Sequence, residues 1–373
     1  MARHRSSTAP LALAYAALIV YASLYPLDDW RVPTDATSWR WLLLPWPHWF
    51  PTFDVVANLL GYLPFGALLY LAAVRSGASA RSGALLAVLS ASGLSYAMEA
   101  TQSFVPSRVP SLADWLLNTL GAASGLLLAA LLQRAGAIAH WQALRERWVI
   151  AHSAGALTLL LLWPLGLLFP APVPLGTGQI MPWLRETLVE VALDTPVSAT
   201  VDEWAQAGED VAAGLTPPAE GAAVMLGLLA PCLLAFSVVR SRGRRVAAAC
   251  VVAAVGFAAT TLSTALNFGP QHALAWLTPV TPVALALGLA LACALALVPR
   301  RAAAGLGLMA LTLLVVLVAQ APADPYFASS LQDWEQGRFI RFHGLARWLG
   351  WLWPYVALLV LLWRVAASDD ARP

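Results

Sequence analysis

The sequence predicts an all-α, polytopic membrane protein with about ten transmembrane helices. Of its 373 residues, 60% are hydrophobic and only 11% are charged, which is too apolar a composition for a single soluble core. Apolar stretches of about the 20 residues needed to cross a bilayer recur along the whole chain. They lie at about 9–27, 55–74, 82–103, 112–133, 149–169, 221–239, 246–266, 273–298, 302–320 and 347–363.

Two of these segments need a further interpretation. The first follows Arg3 and Arg5 and is taken as a retained anchor, the alternative being a signal peptide with a weak cleavage site at Val20-Tyr21-Ala22. Residues 246–299 carry no charge, but residues 267–272 read Asn-Phe-Gly-Pro-Gln-His, which is typical of a turn. We therefore expect two helices there, joined as a hairpin.

The arginines predict the orientation in the membrane. All 22 basic residues are arginine, and ten crossings place fifteen of them on the side of the termini and seven on the other side. The positive-inside rule then puts both termini in the cytoplasm, with connections 170–220 and 321–346 facing outward. Because this asymmetry is explained by topology, the net charge of +2 does not indicate a nucleic-acid partner.

The segments group into two membrane regions. Residues 1–134 form a predicted four-helix domain, residues 135–148 a cytoplasmic connector, and residues 149–373 a six-helix region with the outward-facing loop 170–220. That loop holds eight acidic residues against Arg185. We interpret it as a solvated cap with one or two short helices, and a site for a cation or a basic partner is the alternative.

Arginine and aromatic residues alternate between residues 331 and 353. This mixture is typical of a chain that lies along the headgroup layer before it crosses the bilayer. An aromatic belt at the membrane surface is the first interpretation. The alternative is recognition of an anionic headgroup or lipid phosphate by Arg338, Arg341 and Arg347.

Several classes of chemistry find no sequence support. Cys232, Cys250 and Cys293 stand at isolated positions inside predicted helices, which argues against a disulfide framework and against a cysteine metal site. No nucleotide-binding, zinc-helix or nucleophile-elbow pattern stands out. We therefore expect no cofactor and no resident metal.

A set of polar residues lies at one end of the second, third and fourth segments. Helix direction brings these residues to a similar depth, and the Arg108 turn is framed by two prolines that fix its backbone. Burying such groups in a membrane is expensive and usually reflects function. The set consists of Asp54, Asn58, Glu99, Gln102, Arg108, Asp114 and Asn118.

Two simpler explanations of this set stay open. The side chains could be polar glue between helices, each contributing on the order of 1 kcal/mol. Alternatively, Asp54, Glu99 and Asp114 could hold a divalent cation through oxygen ligands. Gly121 and Gly125 form a small-xxx-small pattern, which predicts close approach of helix backbones beside these residues.

The order and spacing of these residues resemble the VanZ-like family of bacterial membrane proteins, which is named for a teicoplanin-resistance protein. The resemblance covers about residues 11–134. It rests on Asp54-Val-Val-Ala-Asn58-Leu-Leu-Gly61-Tyr-Leu-Pro64-Phe65-Gly66, Glu99-Ala-Thr-Gln102-Ser-Phe-Val-Pro-Ser-Arg108 and Asp114-Trp-Leu-Leu-Asn118-Thr-Leu-Gly121. It implies a four-helix membrane domain, a role at the cell envelope and a link to glycopeptide antibiotic resistance.

Three functions are compatible with the sequence. In the first, Asp54, Asn58, Gln102, Arg108, Asp114 and Asn118 bind the headgroup of a membrane lipid or lipid-linked envelope precursor at the outer leaflet. In the second, Glu99 is the catalytic general acid or base of a membrane enzyme acting on such a lipid. In the third, Glu99 couples transport to protons, although the two halves of the chain show no repeat of the kind many transporters contain.

Overall fold

The computed structural model describes residues 8–24, 30–32, 42–47, 49, 52–106, 108–150, 153–193, 195–209, 215–321 and 340–366. Within these ranges the chain forms thirteen α-helices and no β-strand. The first five are α1 (Thr8–Leu24), α2 (Thr52–Arg75), α3 (Ala80–Gln102), α4 (Leu112–Arg134) and α5 (Ala137–Trp148). The others are α6 (Ala154–Gly166), α7 (Met181–Ala192), α8 (Ser198–Glu209), α9 (Pro217–Val238), α10 (Arg242–Phe268), α11 (Thr281–Leu295), α12 (Arg300–Ala319) and α13 (Ile340–Ala366).

The helices confirm an all-α polytopic membrane protein. Seven of them, α2, α3, α4, α9, α10, α12 and α13, are long and apolar enough to cross a bilayer. Three further apolar helices are shorter, at Leu11–Leu24, Ala154–Gly166 and Thr281–Leu295. Each of the ten predicted segments therefore contains a helix, and the number of crossings stays a prediction.

The expected hairpin between α10 and α11 is present, but its second helix starts later than predicted. Residues 273–280 form turns, and α11 begins at Thr281. Pro279 cannot donate the backbone hydrogen bond that a helix starting at residue 273 would need. Pro282, by contrast, stands in the first turn of α11, where a missing N–H costs nothing.

The chain divides into two compact units, residues 1–143 and residues 144–373. We call them unit 1 and unit 2. The predicted connector 135–148 is largely helical, because α5 covers Ala137–Trp148 and crosses the boundary between the units.

Unit 1 is built on a close contact between α2 and α4. A Cβ added at Gly121 or Gly125 would overlap the backbone carbonyl of Leu59 or Leu63, respectively. Because the later glycine on α4 meets the later leucine on α2, the two helices run parallel. The contact confirms the close approach that the small-xxx-small pattern predicts, and it leaves no room for a larger residue at either glycine.

Unit 2 is built around α9, which is buried along most of its length. Helices α10, α11 and α12 pack against it. At one end, the buried Arg245 side chain donates to the carbonyls of Val239, Ala296 and Val298, with N···O distances of 3.2, 3.3 and 2.5 Å. A cation near the C-terminal ends of α9 and α11 is favourably placed for the dipoles of both helices.

The expectation of a solvated connection after α6 is wrong for residues 172–178. These seven residues are not helical, yet all are buried in unit 2. Leu175 contacts Gly227 and Gly256, each near the middle of its helix. Non-helical backbone is tolerated at such a place only inside protein, and Pro172 and Pro174 help because they carry no N–H to satisfy.

The rest of this connection contains the short helices that the sequence suggests, α7 and α8. Parts of the predicted outward connections lie outside the described residues. These are Asp194, Asp210 and the side chain of Glu209 among the eight acids, residues 211–214, residues 322–339 with Arg338, and the side chain of Arg341.

Candidate functional site

The fold of unit 1 brings the predicted polar residues to one end of three helices. Helices α2 and α4 run parallel, and α3 runs antiparallel to α4. The antiparallel pairing follows from hydrogen bonds that join Ser95 to Asn118 and Glu99 to Ser111. Asp54, Glu99 and Asp114 consequently lie at the same end of their helices.

The Glu99 carboxylate is a link between α3 and α4. Its Oε2 accepts a hydrogen bond from the backbone N–H of Ser111 at 2.8 Å, and the side chain is only 4% exposed. Ser111 is the N-cap of α4, and its hydroxyl accepts from the Asp114 N–H at 3.2 Å. A buried carboxylate at a helix N-terminus is stabilised by the backbone donors and by the helix dipole.

Arg108 and Gln102 both reach the last turn of α1. The Arg108 guanidinium donates to the Ala22 carbonyl at 3.3 Å, and the Gln102 amide donates to the Ser23 carbonyl at 3.0 Å. The last carbonyls of a helix have no partner within it, so these bonds satisfy acceptors that α1 leaves open. Both residues therefore hold α1 to the end of the unit where Glu99 lies.

Further polar contacts join α3 to α4 along their length. The Asn118 amide donates to the Ser95 hydroxyl at 3.0 Å, and both residues are buried. In addition, the indole N–H of Trp115 donates to the carbonyl and hydroxyl oxygens of Ser92, each at 3.1 Å. The Nδ2 of Asn118 therefore joins α3 and α4, as the interpretation as polar glue expects, whereas its Oδ1 makes no hydrogen bond.

Two buried polar atoms of α2 and α4 have no hydrogen-bond partner. They are Nδ2 of Asn58 and Oδ1 of Asn118. Asn58 and Tyr62 are four residues apart on α2, and the Tyr62 hydroxyl lies beside Ser95 and within electrostatic range of Glu99. A buried polar atom without a partner costs free energy, and each such atom calls for an explanation.

The charges at this end are also close to one another. Glu99 lies within electrostatic range of both Asp114 and Arg108. Asp54 and Asp114 each stand in the first turn of a helix, where a negative charge is favoured by the dipole. Among the described residues no three His, Cys, Asp or Glu side chains converge as metal ligands, so the alternative of a cation held by Asp54, Glu99 and Asp114 is not supported.

Sequence reasoning missed two participants in this arrangement. Tyr62 follows Asn58 by four residues and shares its face of α2, a spacing that could have identified it. The Ser111 amide could not be found in this way, because its role depends on the turn that carries the chain from α3 to α4.

Comparison with known proteins agrees with the residue pattern. Residues 6–133 match the family model described as VanZ/LLP1. No curated protein gives a significant match, and no solved structure does. The matched range contains all seven predicted site residues, and it ends before α5. Residues 6–133 therefore form a membrane domain that belongs to the VanZ-like family.

Proposed function

We propose that the polar end of unit 1 binds the headgroup of a lipid or lipid-linked precursor of the cell envelope. One observation carries this proposal: two buried polar atoms without hydrogen-bond partners, Nδ2 of Asn58 and Oδ1 of Asn118, lie one turn inside the helix ends that carry Asp54 and Asp114. A headgroup that supplied their missing partners would remove the cost of burying them.

The chemistry of the two atoms suggests a ligand with both donors and acceptors. Nδ2 of Asn58 can only donate, and Oδ1 of Asn118 can only accept. Arg108 is half-buried at the same end, and a guanidinium is well suited to a phosphate oxygen pair. Phosphate together with hydroxyl or amide groups is the combination found in envelope lipid headgroups.

The outer surface of the same helices suits an acyl or prenyl chain. Leu60 on α2 and Leu120 on α4 are 56% and 57% exposed, close in sequence to the unpartnered atoms. A lipid could therefore place its chains against these leucines while its headgroup occupies the polar end. A soluble ligand would make no use of this apolar surface.

The proposal includes an orientation in which both termini are cytoplasmic and the polar end of unit 1 lies in the outer leaflet of the inner membrane. Single cysteines at Val109 and Ser76, both exposed and at opposite ends of unit 1, test it after Cys232, Cys250 and Cys293 are replaced by alanine. An impermeant thiol reagent added to intact cells should label Val109→Cys and leave Ser76→Cys unmodified. The reverse pattern would contradict the orientation.

The binding proposal is tested by native mass spectrometry of lipids retained by the purified protein after incubation with extracted envelope lipids. Arg108→Ala should lose a defined lipid that the wild type retains. Arg108→Lys should also weaken retention, because it keeps the charge but loses the planar fork. Arg75→Ala, at the opposite end of α2, is the matched control and should behave as the wild type. Equal retention by all four proteins would refute the proposal.

The Glu99 contact bears on the enzyme alternative. Because its Oε2 is already bound to the Ser111 N–H, Glu99 is better suited to positioning α4 than to exchanging a proton with a substrate. Incubation of Glu99→Gln in the same experiment separates the two roles. A product mass formed by the wild type but not by Glu99→Gln, with equal lipid retention, would favour catalysis.

A change in glycopeptide susceptibility is the cellular effect that we connect with this binding. Cells that produce the wild type should differ in teicoplanin susceptibility from cells that produce Arg108→Ala at the same protein level. The same susceptibility in both strains would separate the lipid site from that effect.

A further inference from the structure

Unit 2 contains an aromatic cluster that draws on three separate parts of its sequence. Trp183 of α7 packs against Trp348 and Trp351 of α13, with ring centroids 5.0 and 6.2 Å apart. Trp348 and Trp351 are 5.4 Å apart, and Phe169 packs edge-on against Trp351 at 6.3 Å. We call these four side chains the tryptophan cluster.

Arg347 lies directly on this cluster. Its guanidinium carbon is 5.0 Å from the centre of the Trp351 ring, within the range of a cation–π contact. Its Nε is buried without a hydrogen-bond partner, while the residue as a whole is only half-buried. The positive charge is thus held in place by an aromatic ring and stays reachable from outside.

Trp351 contributes a second unsatisfied donor. Its indole Nε1 is buried without a hydrogen-bond partner, and the side chain is only 8% exposed. The indole N–H and the arginine N–H groups are donors that cannot accept. The pair therefore calls for a ligand rich in acceptor oxygens and negatively charged, which describes a phosphate group.

An aromatic belt at the membrane surface does not account for these features. Belt tryptophans turn their N–H toward water and headgroups, so that a polar tip stays wet. Here the Trp351 Nε1 is buried instead, and the Arg347 guanidinium lies over the same ring. Packing alone would favour phenylalanine at this position, because it has no donor to leave unsatisfied.

The position along α13 indicates a lipid rather than a free anion. Arg347 lies within the candidate membrane span Gly344–Ala366, near one end of α13. Lipid phosphates lie just outside the hydrocarbon, within reach of a long arginine side chain at the end of such a span. We propose that Arg347 and the tryptophan cluster form a second lipid site, in which Arg347 binds the phosphate of a lipid headgroup and the rings contact the adjoining part of the lipid.

This site is separate from the one proposed in unit 1 and depends on different residues. The test measures binding of dioctanoyl phosphatidic acid to the full-length protein in a maltoside detergent, by native mass spectrometry over a range of lipid concentrations. The variants are Arg347→Gln, Trp351→Phe and Arg364→Gln. Arg364 is the matched control, since it stacks on Trp363 at 4.9 Å about 25 Å further along the same helix.

The wild type should bind a phosphatidic acid molecule whose affinity falls roughly tenfold in Arg347→Gln and a few-fold in Trp351→Phe, the range expected for one charged and one neutral hydrogen bond. Arg364→Gln should match the wild type. Arg347→Gln should still retain the envelope lipid whose retention depends on Arg108. The two proposed lipid sites can therefore fail or succeed independently of each other. Wild-type affinity in Arg347→Gln, or an equal loss in Arg364→Gln, would overturn the proposal.

Two further probes identify the part of the lipid that is recognised. Dioctanoylglycerol has the same chains without phosphate and should not bind measurably at this site. Inorganic phosphate at the same concentration should not displace phosphatidic acid. Displacement by inorganic phosphate would overturn the assignment to a lipid, and binding of dioctanoylglycerol with unchanged affinity would overturn the role of the phosphate.

Discussion

The two units bury their central helices in different ways. In unit 1 the apolar windows of α2 and α4 are only 22% and 28% buried, and the helices meet backbone to backbone at two glycines. In unit 2 the window of α9 is 78% buried among side chains of several neighbours. Unit 1 thus leaves most of its helix surface to lipid and concentrates its specific contacts at one polar end.

This difference predicts which substitutions destabilise each unit most. Unit 1 depends on a few close backbone contacts and on hydrogen bonds between helix ends, since within a membrane apolar contact alone gives little preference for protein over lipid. Unit 2 depends on the shape of a large packed core. We therefore expect the costliest substitution in unit 1 to be glycine to alanine at the α2–α4 contact, and in unit 2 leucine to alanine in the core.

The largest effect is expected for Gly125→Ala. The new Cβ would overlap the Leu63 carbonyl, so α2 and α4 must separate, at a cost of about 3 kcal/mol or more in the free energy of unfolding. Gly61→Ala is the matched control, because a Cβ there meets nothing within 4 Å. Thermal unfolding in detergent should show a large loss for Gly125→Ala and none for Gly61→Ala. Similar unfolding temperatures for both would contradict the close contact.

The second largest loss of stability is expected in unit 2. Leu234 of α9 is completely buried, so Leu234→Ala should remove packing and leave a cavity, lowering stability by about 3 kcal/mol. Leu359 of α13 is 66% exposed, and Leu359→Ala should change stability by less than about 0.5 kcal/mol. The same unfolding assay checks both variants. A loss in Leu359→Ala equal to that in Leu234→Ala would mean that burial does not govern stability in unit 2.

A smaller effect is expected for Glu99→Ala. It leaves the buried Ser111 N–H without its acceptor and should cost about 2 kcal/mol. Glu99→Gln keeps an acceptor oxygen at the same reach and should lose less. The order of the two unfolding temperatures is the measurement. If Glu99→Gln is the less stable of the two, the hydrogen bond to Ser111 is not the main role of Glu99.

The smallest effect on stability is expected for Tyr62→Phe. Its hydroxyl has the Ser95 side chain as a neighbour, and losing one neutral hydrogen bond should lower the free energy of unfolding of the lipid-free protein by no more than about 1 kcal/mol. Lipid retention should nevertheless fall. A clear loss of stability without any change in retention would assign Tyr62 to the structure of unit 1 alone.

The sequence was most informative where hydrophobic length decides the structure. Each apolar stretch contains a helix, and helix direction was enough to place Glu99, Arg108 and Asp114 near one another. The spacing of Gly121 and Gly125 predicted their contact with α2, because small residues four apart share one helix face.

Other features depend on tertiary contacts that no local pattern encodes. Residues 172–178 have the proline and glycine content of an exposed loop, and only their packing against α9 and α10 makes them buried. The link between Glu99 and Ser111 depends on the conformation of the intervening turn. The tryptophan cluster joins Phe169, Trp183 and Trp351, which are far apart in the sequence.

The central claim is that the unpartnered polar atoms of unit 1 serve a bound headgroup, and Asn58→Leu tests it most directly. We would measure thermal unfolding of the delipidated protein together with retention of envelope lipid, for the wild type and this variant. Because Nδ2 of Asn58 is buried without a partner, leucine should leave the delipidated protein as stable or more stable, while lipid retention falls. A variant that is less stable but retains lipid as well as the wild type would contradict the account.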